Sequence, residues 1–77
     1  MHHVVALCLE GLVAFDLTAP AQAFGLAARP GGEPLYEFST CSVGAAEVRT
    51  TSGFGVSPSS DLDALRRADT VVVPAYA

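Results

Sequence analysis

Asp16 stands where an apolar run suited to a strand gives way to an apolar run suited to a helix, in the stretch Asp16-Leu17-Thr18-Ala19-Pro20. A carboxylate at such a turn can hold a nucleophile or ligand by hydrogen bond, or it can merely favour the positive end of the following helix. In open α/β sheets the ligand crevice lies outside the carboxyl ends of the strands, which makes Asp16 the first candidate for a site residue. The other chemistry-bearing side chains carry less. Glu10, beside Gly11, reads as a solvated turn acid. His2 and His3 are adjacent, hence on opposite sides of an extended chain, and without partner ligands they read as a frayed start and not as a metal site. Cys8 falls within the first strand and Cys41 at the end of the second, neither at an elbow where a thiol is exposed and activated, so both read as small core residues and neither is assigned catalysis. The sequence has no Gly-rich phosphate loop, no Gly-x-Ser-x-Gly elbow and no zinc spacing, and it calls for no cofactor and no metal.

The elements that must position Asp16 follow from the apolar pattern. Residues 3–9 form a short continuous apolar run ended by Glu10-Gly11, the pattern of a parallel strand buried on both faces. A helix then follows, with Thr18 as its cap, Pro20 tolerated in its first turn, and Arg29-Pro30-Gly31-Gly32 as its stop. Leu17, Ala21, Phe24 and Ala28 share one face of it. Residues 35–41 alternate as a second strand, less buried and nearer an edge. Residues 48–56 read as a small hairpin turning near Ser52-Gly53. Ser60, three residues before Asp63, is placed to cap a short helix reaching about Ala68. Thr70-Val71-Val72-Val73-Pro74 is a β-branched run of the kind found in central parallel strands. If this last strand pairs with the first, Asp16 and the tail Pro74-Ala75-Tyr76 meet at the carboxyl end of the sheet. These four residues form the expected ligand-binding set.

The whole chain of 77 residues reads as one α/β piece, an incomplete doubly wound, mainly parallel sheet with a hairpin insertion. Half of its residues are hydrophobic (51%), and 16% are charged, which argues for a packed domain over a disordered one. So short a chain, with two cysteines and no disulfide framework, is expected to be part of a larger domain. A net charge of -4 with no lysine excludes a direct grip on a phosphate backbone. The apolar amino end lacks a basic residue and is interrupted by Glu10 and Asp16, which disfavours a signal peptide, and no uncharged run is long enough for a membrane helix. Free cysteines make a reducing cytoplasm the default location.

Residues 4–9, then Gly11-Leu12-Val13-Ala14-Phe15-Asp16-Leu17-Thr18-Ala19-Pro20 with Phe24-Gly25, resemble the opening of the ThiJ/PfpI superfamily. Leu35-Tyr36-Glu37, Val48-Arg49-Thr50-Thr51-Ser52-Gly53-Phe54 and Ala68-Asp69-Thr70-Val71-Val72-Val73-Pro74 resemble the amino-terminal domain of GlxA-type, AraC-family transcription regulators. The resemblance implies a class I glutamine-amidotransferase-like (flavodoxin-like) sandwich that senses a small-molecule effector and forms homo-oligomers, with DNA bound by a carboxyl-terminal helix-turn-helix pair that these residues do not include. It also implies that the acid matching Asp16 faces a cysteine on an elbow beyond the last strand in catalytic relatives. Those relatives tend to carry Gly where Ala75 stands, which argues against hydrolysis here. The expectation is therefore a non-catalytic portion of a sensing and dimerising domain. The alternative is a fragment of a free-standing hydrolase or isonitrile hydratase whose nucleophilic Cys lies past Ala77. A small independent interaction module is a third reading.

Overall fold

The computed structural model describes all 77 residues. Strand β1 (His2–Leu7) is followed by helix α1 (Ala14–Leu26), strand β2 (Tyr36–Cys41), a one-turn 3₁₀ segment (Val43–Ala45), strands β3 (Val48–Arg49) and β4 (Gly55–Val56), a 3₁₀ helix (Leu62–Arg67) and strand β5 (Thr70–Val72). β1, β2 and β5 form one parallel sheet in the order β2-β1-β5, and β3 and β4 form a separate antiparallel pair. The expected pairing of the last strand with the first is present, with Val5 opposite Val71.

β1 is the centre of this arrangement because Val4, Val5 and Ala6 give it apolar side chains on both faces, and all three are buried. On one face Ala6 and Cys8 pack with Leu12, Leu17 and Val48 beneath α1, joined by Phe38 and Val72. On the other, Val5 and Cys41 pack against Ala64 of the 3₁₀ helix, with Leu65 and Ala68 beside them. Each fully buried side chain of Val or Leu size contributes roughly 1.5–3 kcal/mol relative to exposure. Phe24 of α1 adds edge-on contact with Tyr36 at 5.0 Å between ring centroids and a stacked contact with Phe38 at 6.5 Å.

Several local expectations give way to tertiary contacts. α1 begins at Ala14 and not after Thr18; Thr18 lies inside the helix, its hydroxyl donating back to the Phe15 carbonyl at 3.3 Å. The earlier start follows from Val13, whose extended backbone is fixed by donation of its N–H to the Ala75 carbonyl at 2.8 Å. Pro20 consequently sits within the helix, and its missing N–H leaves the Asp16 carbonyl without an intrahelical donor. Ser60 does not cap the 3₁₀ helix. Its backbone bridges to β2, donating to the Thr40 carbonyl and accepting from the Ser42 N–H, both at 3.1 Å. Asp61 takes the capping role, its carboxylate accepting from the Asp63 N–H at 2.9 Å.

Among these residues β5 pairs with β1. Val71 and Val73 are exposed, at 47% and 55%. The Asp69 N–H donates to the His3 carbonyl at 2.8 Å just ahead of the strand, and because Val4 and Ala6 face β2, it is Val5 that bonds β5, through Thr70 and Val72, leaving the backbone groups of Val71 turned away from β1. His2 and His3 are ordered members of β1 and no frayed start. His3 joins Glu37 of β2 (Nδ1 to Oε2, 3.0 Å), and its N–H donates to the Asp69 carboxylate at 2.8 Å, while His2 Nε2 lies 2.7 Å from the Thr70 hydroxyl.

Candidate functional site

Parallel pairing carries the residues that follow β1, β2 and β5 to one edge of the sheet, and β1 divides that edge into two sides. On the β5 side, the turn after β1 is clamped from both directions. The Gly11 and Leu12 N–H groups donate to the Arg49 carbonyl at 3.0 and 3.1 Å, and the Leu12 carbonyl accepts from Thr51 at 2.9 Å. From the other direction, Val13 donates to the Ala75 carbonyl at 2.8 Å and Ala77 donates to the Gly11 carbonyl at 3.0 Å. Leu12 thus bridges to Thr50 and to Tyr76 and is fully buried. Gly11 has φ +82°, and a Cβ there would overlap the Ala77 carbonyl oxygen, so both its conformation and its close approach require glycine.

Pro74, Ala75 and Tyr76 are therefore brought onto the turn that leads into α1, with Pro74 buried and Ala75 and Tyr76 exposed. Asp16 stands one step further on, in the first turn of α1, exposed, its N–H donating to the Val13 carbonyl at 3.0 Å. Its carboxylate joins none of the chain's ion pairs. The tail's backbone contacts are made with residues 11–13, which intervene between it and Asp16.

On the β2 side the same edge is open. A cavity of about 170 Å³ has Cys8, Ser42 and Val48 in its floor, with Val43, Glu10 and Glu47 at its mouth. The Ser42 hydroxyl donates to the Ala46 carbonyl at 2.6 Å and ties the 3₁₀ turn across the cavity, where Gly44 and Ala45 both hold positive φ, 62° and 57°. Glu10 accepts from the Arg49 N–H at 3.2 Å, and the Arg49 guanidinium lies 3.7 Å from the Glu47 carboxylate. None of these residues stood out as a site from the sequence. The signal was present in the register: Leu7 pairs with Cys41, so the segments that leave β1 and β2 must run side by side.

The two thiols do not meet. The Cys8 N–H donates to the Cys41 carbonyl at 2.8 Å, yet the two side chains belong to packing clusters on opposite faces of the sheet. Burial pushes the Cys8 thiol up, with the neighbouring Cys41 adding to the effect, and burial followed by Asp61 does the same for Cys41. Thiols shifted upward stay protonated at neutral pH, the unreactive form. No group of three or more His, Cys, Asp or Glu side chains is arranged to hold a metal ion, and no helix is long and apolar enough to cross a membrane.

The fold is similar to that of a DJ-1 superfamily protein from Agrobacterium tumefaciens: 99% of the chain superposes, with a TM-score of 0.68 and 20% identity, on 38% of that protein. At the level of sequence, the chain is 36% identical over 72 residues to an uncharacterized protein encoded in the cpoL 5′ region of Streptomyces lividans, covering 94% of this chain and 50% of that protein. The chain thus spans about half the length of the curated relative it matches. No family model matches it.

Proposed function

We propose that the chain is the amino-terminal portion of the ligand-sensing and dimerising domain of an AraC-type transcription regulator, without catalytic activity of its own. Asp16 and the tail Pro74-Ala75-Tyr76 then border the effector site, and DNA is contacted by a helix-turn-helix pair elsewhere in the longer polypeptide. One observation carries the non-catalytic part of this reading: at the carboxyl edge of the sheet an exposed acid at the head of α1 has no activated thiol for company, because Cys8 and Cys41 are both buried and held protonated. The regulator part rests on the motif resemblance, and the ThiJ/PfpI-like architecture supports it at the coarser level of fold.

The full reading frame that contains these residues is expected to encode a helix-turn-helix pair, and its purified product to retard a duplex from its own upstream region in an electrophoretic mobility assay. A frame without such a pair, carrying instead a cysteine at a strand-to-helix elbow, would replace this reading with the hydrolase or isonitrile hydratase one.

A further inference from the structure

We infer that two copies of this chain associate through the outward face of α1, with the two helices antiparallel across a two-fold axis. The inference rests on the dimerising part of the reading above and names the surface that performs it. α1 is apolar on all sides, and Asp16 is its one charged residue. Its inner face packs on the sheet, with Leu17 buried and Phe24 against Tyr36 and Phe38. The opposite face carries Phe15, Ala19, Gln22 and Leu26, at the alternating four- and three-residue spacing of a helix seam, and all four are exposed. Phe15 and Leu26 are each 74% exposed. Thr18 adds little polarity beside them, because its hydroxyl turns back onto the Phe15 carbonyl. A helix that is hydrophobic all round is one that is covered on both faces.

The seam selects its occupant. Its four residues are symmetric about the middle of α1, so an antiparallel copy sets Phe15 against the partner's Leu26 and Ala19 against the partner's Gln22, on both sides of the axis at once. The small side chains of Ala19 and Ala23 near the centre allow the close approach of a packed helix pair, about 8–10 Å between axes. Phe15 and Leu26, about 16 Å apart along the helix, close its two ends. The charges agree with this arrangement. Asp16 lies at one end of α1 and Arg29 just past the other, both exposed, and neither joins any ion pair within the chain. A helix length separates them in one copy. An antiparallel copy brings Asp16 beside the segment that carries the partner's Arg29, twice per dimer, whereas a parallel copy would set the two Asp16 carboxylates together.

The product of the full reading frame is expected to sediment as a dimer at equilibrium. Phe15→Ser/Leu26→Ser should weaken association about a hundredfold with unchanged far-ultraviolet circular dichroism, since both side chains are exposed in the single copy. Asp16→Arg and Arg29→Asp each set like charges together and should weaken it about tenfold. Mixing these two variants makes both end contacts attractive again and should restore association to near the parent value, a rescue that requires the charges to meet between copies. A dimer that Phe15→Ser/Leu26→Ser leaves intact, or no recovery on mixing, overturns α1 as the contact while the dimerising reading stands. A monomer at every concentration overturns both. Loss of folding in the serine variant also overturns the inference, because it means that α1 is covered by its own polypeptide.

Discussion

The two sides of the carboxyl end of β1 are built from the same materials and finished differently. Towards β5, the turn of residues 11–13 is sealed by backbone hydrogen bonds to the hairpin and to residues 75–77, with Leu12 buried at the centre. Towards β2, the chain leaves through a 3₁₀ turn closed by two short-range backbone hydrogen bonds and tied across by one serine hydroxyl, and a cavity remains. Backbone-to-backbone closure is insensitive to most substitutions, whereas side-chain closure hangs on single residues. The sealed side is therefore the structural one and the open side is the one a substitution can tune.

This contrast can be broken in graded ways. Leu12→Ala removes the one large side chain wholly buried in the sealed turn and should lower unfolding free energy by about 2–5 kcal/mol in urea titrations. Gly11→Ala should cost about 1–3 kcal/mol, because it combines a positive φ with overlap on Ala77, and limited proteolysis should then release the tail. Ser42→Ala, on the open side, deletes a single hydrogen bond and should cost only about 0.5–1.5 kcal/mol. A larger loss from Ser42→Ala than from Gly11→Ala would reverse the assignment of the two sides.

Two pH effects sharpen the picture further. The Cys8 and Cys41 thiols are raised in the folded chain, so the stability they contribute is complete below their ordinary value of 9.0 and is lost as pH rises through the folded value. The unfolding midpoint should fall on the alkaline side, and Cys8→Ala should flatten that fall. Asp69 is lowered, first by the His3 N–H that it accepts, with the nearby His2, His3 and amino-terminal charges adding. Its contribution is present above its ordinary value of 3.8 and is lost as pH drops through the folded value, an acid limb that Asp69→Asn should diminish.

The parallel sheet was legible because strands buried on both faces write themselves as continuous apolar runs, and the hairpin because Ser52-Gly53 divides two short strand-like runs. Caps were not legible. Thr18 and Ser60 have good capping chemistry, but the backbone of Val13 was engaged by Ala75 and that of Ser60 by β2, and such long-range partners leave no local trace. The site divides the same way. The meeting of the Asp16 turn with Pro74-Ala75-Tyr76 follows from strand order alone. The cavity beside Ser42 depends on a positive-φ turn through Ala45, a residue whose type gives no warning of that conformation.

The second edge of β5 offers a footing and not a rail. Cys8 faces Cys41, so Val4 and Ala6 face β2 while His3, Val5 and Leu7 face β5, and Thr70 and Val72 are the residues that bond β1. Within the strand Val71 alone turns its N–H and carbonyl the other way, so a chain laid there is held by the two backbone groups of a single residue.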